Sequence, residues 1–350
     1  MRSFLALALV LSTAATAPPP TQTLSNGVVM PMLALGVFQY NNSEAEFAVA
    51  GALQNGFSMV DAGQQYLNNQ GVGRGISKVL VAGLRKREDI FVQAKVDGCG
   101  FANISLTACY ADTKKILETQ LVELNQSYVD SAILHFPPLP VMPAGGCIPG
   151  ICEFVRPQWK AMVEFYKANK TRAIGVSNYC KSCYECLKPS EFDVLPQIHQ
   201  IQYHLGMGPD KLGYVSYAKE HHMAIQAYST LANKPEWYKW EPRGINPQIL
   251  SGKAFGGKLG EIAKSHNVST IQVALKWVVQ QGFTALTKSS SPAHLRADTD
   301  LWGFNLTDAD MATLNYEVPV WPKSGADHGL HGMPAWACHP PGSIPGAVVV

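Results

Sequence analysis

The chain has 350 residues, of which 47% are hydrophobic and 15% are charged, and its formal net charge is +2. This composition is typical of a globular protein and excludes a disordered chain. Because no run of five like charges occurs, we expect no nucleic-acid partner. No apolar run after the first seventeen residues approaches the length of a membrane span, so we expect no membrane anchor.

The first seventeen residues have the three parts of a signal peptide. Residues 1–3 (MRS) give a short basic start, residues 4–10 (FLALALV) are apolar, and residues 15–17 (ATA) end the segment on small side chains. The alternative is a buried N-terminal strand. We therefore predict a signal peptide over residues 1–17 and a protein that is in the secretory pathway or extracellular.

Two further features fit an exported protein. Six N-x-Ser/Thr sequons, which accept N-linked glycans, occur at Asn41, Asn103, Asn125, Asn169, Asn267 and Asn305. The eight cysteines are Cys99, Cys109, Cys147, Cys152, Cys180, Cys183, Cys186 and Cys338, an even number that would mostly pair in an oxidising compartment. We therefore expect a glycoprotein with disulfide bonds.

The cysteine spacing leaves the connectivity open. Cys99 and Cys109 bracket a short segment and could pair, and so could Cys147 and Cys152. The C-x-x-C-x-x-C run over residues 180–186 resembles the start of an iron–sulfur ligand set, but the fourth ligand is missing, which favours disulfides.

Apolar periodicity predicts short strands that alternate with amphipathic helices. The predicted strands are residues 33–38, 57–63, 90–96, 128–136, 172–178, 197–204, 223–229 and 283–288. The predicted helices are residues 44–55, 70–85, 106–124, 155–169, 180–188, 209–221, 258–280 (as two helices), 292–300 and 307–316. An Asn-Gly pair within residues 23–31 predicts a β-hairpin before the first strand.

Eight strand–helix alternations predict an α/β fold in which a parallel sheet closes into a (β/α)8 TIM barrel. The alternative is an open, doubly wound sheet, but no G-x-G-x-x-G follows the first strand. The G-x-G-x-G at residues 71–75 lies past the second strand, and we interpret it as structural. The predicted division is therefore the signal peptide, a barrel with an N-terminal β-hairpin over residues 18–318, and an extended irregular C-terminal loop over residues 319–350.

Four ionisable side chains fall at the carboxyl ends of three successive predicted strands, where chemistry sits in such barrels: Asp61, Tyr66, Lys95 and His135. Taken singly, Asp61 is typical of a helix cap, Tyr66 of a packing residue, Lys95 of a solvated cation and His135 of a hydrogen-bonded polar group. Together, an ammonium favours loss of the phenol proton, a carboxylate keeps the ammonium charged, and an imidazole orients a carbonyl oxygen. The set predicts protonation of a carbonyl oxygen during nucleophilic attack, and a hydride nucleophile would require a nicotinamide cofactor.

The motifs that hold these residues resemble the aldo-keto reductase family. They are LSNGVVMPMLALGVFQ, VDAGQQY followed by GVG, REDIFVQAK, YVDSAILHFP, AIGVSNY, QIQYH, AYS and TKSS. The resemblance spans about residues 23–318. It implies reduction of a small-molecule aldehyde or ketone to an alcohol with NADP(H), with NAD(H) possible. It also implies that Tyr66 is the general acid, that Lys95 with Asp61 tunes it, and that His135 orients the substrate.

The resemblance also implies cofactor contacts by position. They are Ser177, Asn178 and Gln200 on the nicotinamide carboxamide, Tyr228 stacked on the nicotinamide ring, Ser229 and Leu231 near the pyrophosphate, and Lys288 and Ser289 near the adenosine 2′-phosphate. The chain departs from the family at His294, where Arg is frequent, and at Asp298, where Asn is usual. A carboxylate is unfavourable near a phosphate, and Lys288 and Arg296 could compensate.

The expected substrate pocket is apolar and aromatic. Phe38 stands where the family usually has Trp, and Phe136 follows His135. In the resembled family a C-terminal loop covers the pocket, so residues 321–338 would help to select substrate. The histidines and the cysteine within residues 328–339 fit no common spacing, so we expect no metal. We expect a monomer or weak oligomer. The alternative function is a secreted, non-catalytic barrel that binds a ligand or partner.

Overall fold

The computed structural model describes residues 19–100, 104–138, 150–179, 181–208, 210, 213–231, 245 and 247–315. The predicted signal peptide and the C-terminal tail over residues 319–350 lie outside these residues. No helix of the described residues is both long and apolar enough to span a bilayer.

A short hairpin precedes the barrel, as the Asn-Gly pair predicts. Strands β1 (Thr21–Thr23) and β2 (Val29–Pro31) pair in antiparallel register. Gly27 adopts a φ of +84°, a left-handed conformation that glycine reaches without a steric penalty, and its N–H donates to Leu24 O. The glycine of the pair therefore makes the tight reversal possible.

Eight parallel strands form a closed barrel, which confirms the predicted architecture. They are β3 (Leu33–Gly36), β4 (Met59–Asp61), β5 (Phe91–Val96), β6 (Val129–Leu134), β7 (Thr171–Ser177), β8 (Ile198–Gln202), β9 (Ala224–Tyr228) and β10 (Thr284–Thr287). Strand β10 pairs with both β9 and β3, which closes the ring. Every predicted strand is present, and seven of the eight are shorter than predicted, by one to four residues.

The helices that alternate with the strands are α1 (Asn42–Gln54), α2 (Asn69–Val81), α3 (Cys109–Glu123), α4 (Cys152–Lys167), α5 (Lys181–Tyr184), α6 (Tyr214–Glu220), α7 (Pro247–Leu250), α8 (Lys258–Ser265), α9 (Thr270–Gln280), α10 (Pro292–Thr299) and α11 (Asp308–Leu314). The predicted run over 258–280 divides because Ser269 caps α9 and accepts from the N–H of Gln272. The predicted helix over 180–188 is a single turn, since Pro189 disfavours a helical Lys188. Helix α7 was not predicted.

The G-x-G-x-G run lies in helix α2 and allows close packing. A Cβ atom added at Gly71 or Gly75 would lie 2.1 or 2.8 Å from backbone oxygens of α1. One added at Gly73 would lie 2.5 Å from Leu124 O, just after α3. Any side chain would push these helices apart, so the structural interpretation of the run is confirmed.

The hairpin covers the amino-terminal end of the barrel. Gln22 Nε2 donates to Thr284 Oγ1 at 2.8 Å, and Met30 packs against inward-facing side chains of the strands. These buried side chains include Ala34, Met59, Phe91, Ile133, Ala173, Ile198 and Leu286. Because this end is filled, the carboxyl ends of the strands remain as the end at which a site can form.

Two disulfides between cysteines that the structure describes connect the loops and helices around that end. Cys99 pairs with Cys109, as the sequence suggests. Cys152 pairs with Cys186 across a Cα–Cα distance of 5.0 Å, so the predicted Cys147–Cys152 pair is wrong. The physical reason is that α4 begins beside the end of α5, which brings distant cysteines within bonding range. Cys147, Cys180 and Cys338 lie outside the described residues.

Candidate functional site

The D-A-G-Q-Q-Y segment positions a carboxylate and a phenol on one side of the barrel mouth. Strand β4 ends at Asp61. A 3-10 turn over Gln64–Tyr66 follows after two further residues, so Tyr66 lies in the loop directly after the strand end. A Cβ atom at Gly63 would lie 3.3 Å from both Lys95 Cε and Tyr66 Cε2. Glycine at residue 63 therefore lets the phenol and the lysine come together, which explains the five-residue spacing.

Lys95 connects these two groups from the neighbouring strand. Its side chain is fully buried, and its ammonium forms an ion pair with Asp61 Oδ1. The ammonium lies 4.9 Å from the centroid of the Tyr66 ring. Burial lowers the pKa of Lys95 below its ordinary value, and the attraction of Asp61 opposes that shift. Asp61 thus offsets the effect of burial on the lysine more than any other group does.

His135 completes the cluster from the end of β6. Its ring lies edge-on to Tyr66, with centroids 5.6 Å apart, and stacks on Phe136 at 4.0 Å. On the other side, Phe38 lies 5.0 Å from the Tyr66 ring. The four predicted ionisable residues and the two predicted pocket phenylalanines therefore meet at one place, the mouth of the barrel.

A buried polar network that was not predicted from the sequence lies beneath this cluster. Gln93 Nε2 donates to Asp61 Oδ1 at 2.7 Å and to Gln226 Oε1 at 2.8 Å, and Gln93 Oε1 accepts from Ser131 at 2.7 Å. Gln200 Nε2 also donates to Asp61 Oδ1, at 3.2 Å. Asp61 therefore accepts from three donors, Gln93, Gln200 and Lys95, which fix the direction of its carboxylate.

Asp97 was also missed. Its carboxylate is fully buried, and its Oδ1 lies 2.9 Å from His135 Nδ1. The sequence carried a signal for both omissions, because Gln93, Lys95 and Asp97 occupy alternate positions. Alternate residues of a strand face the same side, so three polar residues in a buried strand indicate a polar barrel interior.

The predicted nicotinamide contacts converge from strands β7 to β9. Tyr228 Oη donates to Asn178 Oδ1 at 2.7 Å, and Asn178 Nδ2 donates to His135 O and to Ser177 Oγ, both at 3.0 Å. Gln200 lies next to Ser177 in the paired strands and is buried. Asn178 therefore links the predicted cofactor side of the mouth to the backbone of the histidine.

The predicted pyrophosphate contacts follow β9. Ser229 is half-buried and adopts a left-handed φ of +53°, and Leu231 is buried. The next residues, 232–244, lie outside the described residues. The structure therefore places both side chains at the carboxyl end of β9 and leaves their roles as predictions.

The predicted adenosine end lies after β10. Lys288 is exposed, with its ammonium 4.3 Å from the centroid of the Tyr40 ring, and Ser289 is half-buried. Burial raises the pKa of Tyr40 to about 12, so this ring stays a neutral phenol beneath the cation. Ser291 caps α10, whose first turn presents backbone N–H groups, a setting that favours anions.

The two departures from the family pattern behave differently. His294 is exposed on the first turn of α10. Asp298 is buried, and its Oδ2 accepts from Thr287 Oγ1 at 2.8 Å. Arg296 Nη2 donates to Asn55 Oδ1 at the end of α1. Asp298 therefore points its charge into the fold, and Arg296 is engaged by α1.

The chain is similar to known proteins over most of its length. It matches the model of the Aldo/keto reductase family over residues 32–316. It is 30% identical over 308 residues to the glyoxal reductase of Bacillus subtilis (strain 168), which covers 87% of this chain and 95% of that protein. It is 27% identical to the NAD(P)H-dependent D-xylose reductase I,II of Candida tropicalis, over 84% of this chain and 91% of that protein.

A solved structure shows the same fold. The aldo-keto reductase of Bombyx mori in complex with NADP superposes with a TM-score of 0.70 at 22% identity, over 92% of this chain and 99% of that one. The barrel and its clustered polar mouth thus define an α/β-barrel oxidoreductase. The chain belongs to the aldo/keto reductase family.

Proposed function

We propose that this protein reduces an aldehyde or ketone to an alcohol with NADPH, and that Tyr66 supplies the proton. The observation that carries the proposal is the contact set in which Asp61, Lys95 and Tyr66 meet beside His135. The relatives named as glyoxal reductase and as D-xylose reductase support a small carbonyl substrate.

Each residue at the mouth has a separate role in proton transfer. The Lys95 ammonium favours the phenolate that Tyr66 becomes when it gives its proton to the carbonyl oxygen. Asp61 helps to keep that ammonium charged despite its burial. Phe38 and Phe136 border the phenol and the imidazole and exclude water from the reacting oxygen.

The donor set fits a nicotinamide dinucleotide. Asn178, Ser177 and Gln200 offer amide and hydroxyl groups that suit a carboxamide, and Tyr228 offers an aromatic face. Lys288 and the first turn of α10 offer positive charge that suits a phosphate. Because the exposed Lys288 ammonium stands at this end and the Asp298 carboxylate is turned inward, we favour NADP(H) over NAD(H). The bound cofactor would supply the hydride.

The test is a reductase assay over a panel of small aldehydes and ketones, with NADPH and NADH compared. In parallel, cofactor titration is followed by quenching of the fluorescence of the seven tryptophans. We expect turnover with NADPH and tighter binding of NADPH than of NADH. Binding of neither cofactor would instead support the non-catalytic, ligand-binding alternative.

We further propose that the protein enters the secretory pathway and is glycosylated. The support is the sequence of residues 1–17 and the exposure of the five sequon asparagines that the structure describes: Asn41, Asn125, Asn169, Asn267 and Asn305. Expression in a eukaryotic cell should place the protein in the medium or the lumen, with a mass that falls on treatment with an N-glycosidase. An uncleaved, cytosolic product of unchanged mass would contradict this proposal.

A further inference from the structure

The candidate mouth contains a second buried carboxylate that has no part in the proton chemistry above. Asp97 follows strand β5 and lies within hydrogen-bond distance of His135 Nδ1. Asp97 is fully buried, and its Oδ2 has no hydrogen-bond partner among the described residues. Because a buried polar group needs a hydrogen bond, a buried carboxylate whose one described partner is an imidazole ring holds that ring in a fixed orientation.

Several contacts of the surrounding loops hold Asp97 close to His135. The N–H of His135 donates to Val96 O at 2.7 Å, which holds the two strand ends together. A Cβ atom at Gly98 would lie 2.4 Å from Pro137 O, so only glycine permits this approach of the two loops. Gln158 Nε2 donates to Asp97 O at 2.7 Å and anchors the loop from α4. The Cys99–Cys109 disulfide holds the next residues.

The contact decides which ring nitrogen carries hydrogen. An ionised carboxylate only accepts hydrogen bonds, so His135 Nδ1 must be the donor. The Asp97 carboxylate also attracts the nearby Lys95 ammonium. A neutral imidazole has one N–H, so with hydrogen on Nδ1 the Nε2 atom is an acceptor. Among the described residues Nε2 has no hydrogen-bond partner, which leaves it for a substrate.

An acceptor cannot hold a carbonyl oxygen, because both atoms offer lone pairs. Only the imidazolium, with hydrogen on both nitrogens, donates to that oxygen from Nε2. We propose that Asp97 is a positioning residue that makes His135 a pH-gated donor: neutral, it accepts from substrate hydroxyls; protonated, it donates to the substrate carbonyl oxygen. This inference rests on the proposed carbonyl reduction.

The charges around His135 set the pH window. The titratable groups that face it are Asp97, Lys95 and Asp61, together with the Tyr66 ring. Burial is the largest influence and lowers the pKa of His135 below its ordinary value of 6.5, and the Lys95 ammonium lowers it further. The hydrogen bond to Asp97 opposes both. The imidazolium therefore forms only below pH 6.5, and reduction should accelerate as the pH falls below that value.

The first experiment is a 15N NMR titration of the histidine side chains in the full-length, cofactor-free protein, with His135 assigned by its loss in His135→Gln. We expect hydrogen on Nδ1 and a bare Nε2 at pH 7.5, and protonation of Nε2 below pH 6.5. Hydrogen on Nε2 at pH 7.5 would overturn the inference whatever the activity. This readout requires neither substrate nor cofactor.

The second experiment compares the pH dependence of reduction in the wild type and in Asp97→Asn. The wild-type kcat should rise about tenfold or more as the pH falls from 7.5 through the His135 pKa that the NMR titration measures, since one oriented donor contributes at least that much. An asparagine amide can donate to Nδ1 and so permits hydrogen on Nε2, so Asp97→Asn should flatten the profile. A parallel loss at every pH would show a structural role and contradict the gate.

Gln158→Leu is the matched control. It removes the contact with Asp97 O but keeps the carboxylate, so it should lower the melting temperature and leave both the tautomer and the shape of the pH profile unchanged. If Asp97→Asn does not fold, the wild-type titration still decides the tautomer. If hydrogen is on Nδ1 and the protein shows no turnover at any pH, both the proposed function and the pH-gated donor role of His135 are contradicted. Turnover with hydrogen on Nε2 would contradict the gate alone.

Discussion

The two ends of the candidate site are built differently. At the proton end, the Lys95 ammonium is buried and every partner of Asp61 is a buried side chain of the barrel. At the phosphate end, Lys288 and His294 are exposed on the segment after β10. The comparison indicates that the fold fixes the geometry of proton transfer in advance, whereas the phosphate end presents exposed charge whose position the bound ligand can adjust.

Removing the phenol should separate the two ends most clearly. Tyr66→Phe deletes the proton donor, and we expect kcat for carbonyl reduction to fall by about 100- to 10,000-fold. The dissociation constant for NADPH should be unchanged, because the phosphate end is intact. Tyr110→Phe is the control, since its hydroxyl lies on α3 and contacts Glu164 of α4, so its loss should leave kcat unchanged. Full activity in Tyr66→Phe would show that another group is the acid.

Removing the exposed cation tests the other end. Lys288→Met should weaken NADPH binding by about 10- to 100-fold, the usual contribution of a charge-assisted phosphate contact. Binding of NADH should change little, because NADH has no 2′-phosphate. The measurement is fluorescence titration with both cofactors, and the exposed Lys264→Met serves as a control of equal charge. If Lys288→Met weakened the binding of NADPH and NADH equally, Lys288 would not contact the 2′-phosphate.

Disrupting the buried network should affect both activity and stability. Gln93→Met removes the 2.7 Å contact to Asp61 and leaves Ser131 without its acceptor. We expect a loss of about 1–3 kcal/mol in the free energy of unfolding and a several-fold loss in kcat.

Gln197→Met is the control for that network. It also loses buried hydrogen bonds, to the N–H of Ile174 and the carbonyl of Leu195, but at the start of β8 and away from the mouth. Urea unfolding should show a comparable loss of stability, while kcat is retained. A several-fold loss of kcat in both variants would mean that general destabilisation, and not the hold on Asp61, explains the effect of Gln93→Met.

The last prediction concerns stability alone, at the buried carboxylate of the phosphate end. Burial raises the pKa of Asp298 to about 6, so folding favours its protonated form. A raised carboxyl pKa contributes stability at low pH that is lost as the pH rises from 3.8 through about 6. Asp298→Asn should therefore stabilise the protein by about 3 kcal/mol at pH 7.5 and give no gain at pH 3.5. An equal gain at both pH values would show that the carboxyl does not titrate in this window.

Much of the fold could be predicted because the patterns are local. Short apolar runs, the Asn-Gly turn and the capping residues depend on neighbours in sequence, and the eight predicted strands all form. The shortened α5 and the Cys152–Cys186 pair were missed, the first because a downstream proline outweighed the helical pattern and the second because disulfides depend on which helices pack together.

The sequence by itself determined the barrel and brought Asp61, Tyr66, Lys95 and His135 to the ends of adjacent strands, because strand-end positions follow from hydrophobic periodicity. The tertiary structure alone decided what each of these groups contacts. Three such contacts join residues that are 11 to 38 positions apart: Gln93 with Asp61, Asp97 with His135, and Asp298 with Thr287. Such contacts depend on strand register and on the close approach of loops, and no local pattern encodes either.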